Sequence, residues 1–186
     1  RLFLQALRIV AQGYIDLCLR YGDYALSLAG ETEDEARGRE RQGIARNCRR
    51  VPAGPPTTFW EACQALWFGF FFLPDAPGRV DQYLYSFYKR DVERGAVSRE
   101  FARELLSCLW IKYFCFAGAQ AGVSAHQHLT LGGVKPDGSD AVNELSYLML
   151  DVVESMRLVQ PSACIQLSKR NANRFLKRAA KVMKKK

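Results

Sequence analysis

The sequence predicts a mainly α-helical protein with a few β-strands, and three observations lead there. Apolar residues recur at three- and four-residue steps through most of the chain, beginning with Phe3, Leu7, Val10, Tyr14, Leu17, Tyr21 and Leu28. Two short stretches, 125–131 and 163–167, lose that period and read as strands bounded by turn residues. Across 186 residues, a hydrophobic content of 48% with 12% aromatics argues against disorder and suffices for one domain with a real core.

The first helix runs from the N-terminus to Gly30, a residue that stops helices well. Thr32 with Glu35 has the spacing of a capping box for a second helix, and the charged stretch 33–50 shows so little apolar periodicity that it is expected to lie largely in solvent. Pro52, Pro55 and Pro56 then impose an extended connector. Thr58 with Glu61 gives a second capping box, and 59–72 is apolar on nearly every face, as in a helix enclosed by other elements.

After Pro74 and Pro77-Gly78 the sequence predicts an aromatic helix over about 82–93, a break at Gly95, and an amphipathic helix from Ser98 to about Phe116 with Phe101, Leu105, Leu109 and Tyr113 on one side. The small residues 117–122 read as a turn into the first strand, which ends at Gly132-Gly133. Asp137-Gly138 makes a turn, and Asp140 is expected to cap a helix over 141–157 that buries Leu145, Leu148, Val152 and Met156. After the second strand, Asn171 or Asn173 caps a last helix carrying Phe175, Leu176, Ala179, Val182 and Met183 against a lysine-rich side. Strands separated by a full helix pair in parallel, and two short ones leave open edges that favour aggregation.

The net charge of +8 sits largely on Arg170, Arg174, Lys177, Arg178, Lys181 and the terminal lysines, so it reads as one end of the chain rather than a nucleic-acid docking face. The six cysteines lack CxxC spacing and read as reduced core thiols. The opening segment carries Arg8, Gln12, Asp16 and Arg20 through its apolar positions, unlike a signal peptide, and the longest apolar stretch, 65–73, is far short of the ~20 residues that span a bilayer. A cytoplasmic protein with no membrane partner and no nucleic-acid partner is expected. The first residue is Arg1 and the last stretch ends abruptly in lysines, so both ends read as cuts.

Four ordered runs carry a family resemblance: Val51-Pro52-Ala53-Gly54-Pro55-Pro56-Thr57-Thr58-Phe59-Trp60, Pro77-Gly78-Arg79-Val80-Asp81-Gln82-Tyr83-Leu84-Tyr85, Leu129-Thr130-Leu131-Gly132-Gly133 and Asn143-Glu144-Leu145-Ser146-Tyr147-Leu148. Over nearly its whole length the chain resembles the large domain of glycyl radical enzymes, the pyruvate formate-lyase-like family, closest to its dehydratase, decarboxylase and amine-lyase branch. The resemblance implies part of a ten-stranded α/β barrel: residues 1–122 as outer helical wall, and 123–186 as a strand-helix-strand-helix portion holding the first inner strands. It also implies that the family's thiyl-forming cysteine loop and its glycyl radical loop lie beyond Lys186. The segment then holds no catalytic residue and binds no cofactor or metal, and alone it is expected to be inactive. The intact enzyme would carry a protein glycyl radical installed by a radical-SAM activating enzyme, act on a small-molecule substrate and form a homodimer.

Three residues are substrate-binding candidates under that resemblance. Asp81 matches the aspartate of the GRxDQ motif, which in some members approaches the polar end of the substrate; the alternative is that Asp81 caps the following helix or pairs with Arg79. Gln166 and Ser168 follow Gln160-Pro161 on the strand whose inner face lines the cavity, where many relatives show an arginine at the position of Gln166 and the dehydratase-like ones a histidine near Ser168; the alternative is that both satisfy local backbone groups. His126 and His128 share one strand face and have metal-ligand spacing, but with no third ligand evident a pair facing a helix or the cavity rim is the stronger reading. The aromatic series from Trp60 to Tyr88 reads as core packing.

Two function classes follow. One is a segment of a glycyl radical lyase that cleaves a C–heteroatom or C–C bond of a small polar substrate by thiyl-radical hydrogen abstraction, with formate acetyltransferase chemistry as the alternative reaction. The other is a non-catalytic truncated relative that serves as a binding or structural module.

Overall fold

The computed structural model describes residues 1–73, 76–119 and 127–184. The chain divides into two compact units, Arg1–Phe72 and Leu73–Lys186.

The first unit is helical: α1 (Leu2–Gly30), α2 (Glu35–Arg50) and α3 (Phe59–Phe72). Helix α1 is long and apolar enough, by length and composition, to cross a membrane, although charged residues interrupt its apolar run. Its Cys18, Gly22 and Ala25 are buried, whereas Leu2, Phe3, Leu4 and Ile9 near its start are exposed. Asp34, not Thr32, caps α2, its carboxylate accepting the Ala36 and Arg37 N–H groups, while the Thr32 hydroxyl accepts from Asp34 N. The expectation of a solvated α2 needs correction too. Gly38, Gly43, Ala45, Asn47 and Cys48 form a buried stripe of small residues whose low hydropathy hides a packing face. Gly43 leaves room for the Trp60 ring, and Cys18, Cys48 and Phe68 form a core flanked by Tyr14 and Trp67. The Thr58/Glu61 capping box at α3 is present in both directions, at 3.2 and 3.3 Å.

The second unit contains α4 (Val80–Tyr83), α5 (Tyr85–Glu93), α6 (Arg99–Ala119), β1 (His128–Gly132), α7 (Glu144–Met156), β2 (Ser162–Gln166) and α8 (Asn173–Lys184). The single aromatic helix expected over 82–93 is two helices that meet at Leu84. Ser98 accepts from Phe101 N at the start of α6, which buries Ala102, Leu105, Leu106, Leu109, Trp110 and Tyr113. Helix α7 starts at Glu144 rather than 141, because Asn143 and Ser146 form the capping box and Asp140 is engaged elsewhere. The expected turn over 117–122 lies in part, and His126 wholly, outside the described residues.

Strands β1 and β2 pair in parallel, with His128 opposite Ser162, Thr130 opposite Cys164 and Gly132 opposite Gln166. Gly78 extends the sheet on the other side of β1, donating to His128 O at 3.3 Å and accepting from Thr130 N at 2.8 Å. Because side chains alternate along a strand, Leu129, Leu131, Ala163 and Ile165 share one face and His128, Thr130, Cys164 and Gln166 the other. Leu129 and Leu131 are fully buried, and α8 brings Leu176, Ala179 and Met183 to the side of Ile165. The opposite face is open, with His128, Cys164 and Gln166 exposed and Thr130 half-buried.

Candidate functional site

Four segments converge at the C-terminal end of β1, and the Gly78-Arg79-Val80-Asp81-Gln82 run organises them. Asp81 is fully buried in the first turn of α4. Its Oδ2 accepts the Gly132 N–H at 2.8 Å and the Ser146 hydroxyl at 2.6 Å. The Arg79 guanidinium donates to the carbonyls of Gly132 at 2.8 Å and Val134 at 3.0 Å, so it bonds backbone oxygens. Gln82 Nε2 reaches Ala141 O at 2.9 Å, and Asn143 Nδ2 returns to the backbone carbonyl of Asp81 at 3.1 Å. Asp81 is neither the N-cap of a helix nor the ion partner of Arg79. It fixes the end of β1 against the start of α7.

Gly132 and Gly133 are the meeting point. Both have positive φ, +79° and +77°, a backbone state that favours glycine. A methyl on Gly132 would meet the Phe175 ring at 2.8 Å, and one on Gly133 would collide with the Gln166 amide. The Gln166 side chain therefore lies over a bare stretch of backbone at the mouth of the sheet.

The loop between β1 and α7 is held by Asp140, whose Oδ1 accepts from Val142 N and from Asn171 Nδ2 and whose Oδ2 accepts from Ala172 N. Burial works to raise the Asp140 carboxyl, but these bonds and the nearby Lys135 charge outweigh it and hold the group below its ordinary value. Asn171 is buried and caps nothing. It donates to Gly133 O at 2.7 Å and accepts from Ser168 N at 2.8 Å, tying the turn after β2 to the glycine pair. The Ser168 hydroxyl accepts from Arg170 N at 3.2 Å.

The three substrate-binding candidates thus gather around Gly132-Gly133 by different routes: Asp81 through the Gly132 N–H, Gln166 against Gly133, and Ser168 through Asn171. Ser168 is engaged locally, while the Gln166 amide presents itself on the open face. On that face His128 Nδ1 stands 3.5 Å from the Cys164 thiol. Cys164, Cys108 and Cys115 are exposed, contrary to the expectation of six core thiols, because an exposed strand or helix position can hold a small apolar side chain. Cys18, Cys48 and Cys63 are buried, and burial raises all three, Cys48 to about 11. Among the described residues no group of three or more His, Cys, Asp or Glu side chains is arranged to hold a metal. The sequence marks Asp140 and Asn171 only as helix-cap candidates, and for Asn143 and Ser146, neither of them expected at the site, the available signal is their spacing, a capping-box variant.

The family described as PFL-like, pyruvate formate lyase-like, matches residues 1–186. The chain is 39% identical to trans-4-hydroxy-L-proline dehydratase of Clostridioides difficile over 98% of its own length and 25% of the relative. It is 33% identical to isethionate sulfite-lyase of Nitratidesulfovibrio vulgaris, over 99% of this chain and 24% of that one. A solved structure concerned with 1,2-propanediol dehydration in Roseburia inulinivorans superposes with a TM-score of 0.91 at 34% identity, covering 98% of this chain and 25% of that one. The chain spans about a quarter of the length of the relatives it matches.

Proposed function

The chain belongs to the pyruvate formate lyase-like family, and we propose that it forms part of the substrate-cavity wall of a glycyl radical lyase cleaving a C–heteroatom or C–C bond of a small polar molecule. The observation that carries this reading is the similarity along the whole chain to enzymes named for dehydration and for sulfite elimination. Those names favour elimination over formate acetyltransferase chemistry.

The radical, once installed, supplies hydrogen-atom abstraction through a cysteine. The described residues fit the role of wall rather than radical carrier. Cys18, Cys48, Cys63, Cys108 and Cys115 are in helices, and Cys164 lies in mid-strand within a paired ladder rather than on a loop. In a barrel wrapped by helices, the strand face away from the helices looks inward. Here that is the face of His128, Thr130, Cys164 and Gln166, which binds and orients polar groups of the substrate. Asp81 acts from behind this face by fixing Gly132, and its buried Oδ1 has no hydrogen-bond partner. The cavity excludes water, so each of these hydrogen bonds acts in a low dielectric. We assign to the intact protein a cytoplasmic location, a radical-SAM activating enzyme and a homodimeric state.

The test is electron paramagnetic resonance of the intact polypeptide after anaerobic treatment with its activating enzyme. A glycyl-type doublet together with elimination from a small hydroxylated substrate is expected; activated protein with neither signal nor turnover contradicts the proposal.

A further inference from the structure

Strand pairing brings a nucleophile and a base together on the open face of the sheet. In the parallel register Cys164 stands opposite Thr130 and His128 opposite Ser162, so the two side chains are diagonal neighbours on one side. His128 Nδ1 lies 3.5 Å from the Cys164 sulfur, and both side chains are exposed. The backbone beneath them is held by the sheet rather than by a loop: the His128 carbonyl accepts from Gly78 N at 3.3 Å, and the preceding Gln127 carbonyl accepts from Ser162 N at 2.8 Å. The thiols of the first unit and of α3 are in a different state. Cys18, Cys48 and Cys63 are buried, and burial raises all three, so they keep their protons.

A thiol becomes a nucleophile by losing its proton, and a ring nitrogen at hydrogen-bonding distance is a group that takes it. The reaction this pairing favours is addition to a carbonyl carbon. As the sulfur bonds to that carbon, the thiol proton passes to His128 Nδ1 and the π pair of the C=O bond moves to oxygen. The oxygen then takes the proton from the imidazolium, giving a hemithioacetal. No oxidant is consumed and no group is expelled, so the adduct reverses when the carbonyl compound is withdrawn. Loss of water from a molecule with hydroxyls on adjacent carbons leaves an enol, which rearranges to a carbonyl compound; a cavity used for such an elimination therefore contains the partner that this thiol would take.

We propose that Cys164 and His128 form a reversible covalent binding site for a small aldehyde on the cavity wall, with Cys164 as the nucleophile and His128 as its base. The inference rests on the proposed cavity-wall reading, which turns this strand face toward the bound molecule.

The experiment uses the intact polypeptide without radical activation, alkylated anaerobically with iodoacetamide, and follows each cysteine by peptide mass spectrometry. Cys164 is expected to react about tenfold faster than Cys115, which is exposed on α6 and serves as the internal reference. Propanal is the ligand probe: it should slow alkylation of Cys164 and not of Cys115, and its removal should restore the rate. His128→Ala should bring Cys164 to about the rate of Cys115, and free imidazole should restore the faster reaction, an effect that a packing role for His128 would not produce. His128→Gln, which keeps a polar side chain, should show the same loss, and a silent Cys63 reports in each variant that the buried core has stayed closed. Cys164 no faster than Cys115, a rate indifferent to both His128 variants, or no shielding by propanal overturns the inference. Because no radical is needed, a fast, propanal-shielded Cys164 in a protein that forms no glycyl radical would keep this site and lose the lyase reading, whereas radical and turnover with an inert Cys164 would do the reverse.

Discussion

Replacing Asp81 by alanine removes the acceptor that two buried donors share, the Gly132 N–H at 2.8 Å and the Ser146 hydroxyl at 2.6 Å. Each donor left without a partner in a dry interior costs about 1–3 kcal/mol, so the end of β1 and the start of α7 should be destabilised by roughly 2–5 kcal/mol. Ser146 rotates and recovers part of its share; the Gly132 N–H is fixed by a backbone at φ +79° and recovers little. Amide hydrogen exchange of the 129–133 segment in the intact polypeptide reads this locally. A loss of about 3 kcal/mol at Gly132 means exchange faster by somewhat more than a hundredfold, since about 1.4 kcal/mol is a factor of ten. Asp81→Asn keeps the shape and one acceptor oxygen and should fall between. In a double-mutant cycle Asp81→Ala and Ser146→Ala should be less than additive, because each breaks the same bond. Exchange within threefold of the unaltered protein would refute the clamp, and that result combined with lost ligand binding would make Asp81 a substrate group alone.

Three further outcomes are expected. Gly132→Ala forces a side chain into positive φ and to 2.8 Å from the Phe175 ring, so a loss of about 2–4 kcal/mol is expected in the same exchange experiment; a neutral result would mean that Phe175 yields freely. Gly43→Ala drives a methyl into the Trp60 indole and should cost about 1–3 kcal/mol, visible as a shifted tryptophan emission and a lower urea midpoint for the first unit. Burial raises Cys48 from 9.0 to about 11, so the unfolded chain loses this proton first as the solution turns alkaline. Its contribution to stability is fully present below pH 9 and falls between pH 9 and 11, a loss that Cys48→Ala should remove and urea titrations across that range would detect.

Much of this fold could be read from periodicity and punctuation. The helices ending at Gly30 and beginning at Phe59, the parallel pairing of two short strands and the break at Gly95 all follow from local signals. What escaped were features set by partners distant in sequence. The buried face of α2 consists of glycine, alanine, asparagine and cysteine, which carry little hydropathy, and only the opposing Trp60 and α1 reveal it as a packing surface. Asp140 has the local signature of a helix cap, yet its carboxylate is drawn to Asn171 and Ala172 some thirty residues away. At the candidate site the residues were legible and the geometry was not. The spacing from Gly78 to Gln82 marks a motif, but that Arg79 holds backbone carbonyls and Asp81 a backbone amide depends on β1, more than fifty residues downstream.

A crystal structure of the intact polypeptide with a bound small hydroxylated ligand tests the central claim most directly. The account predicts ligand oxygen atoms within hydrogen-bonding distance of Gln166 or Thr130, on the strand face that also carries His128 and Cys164. That face packed beneath another protein element, with the ligand bound elsewhere, would contradict it.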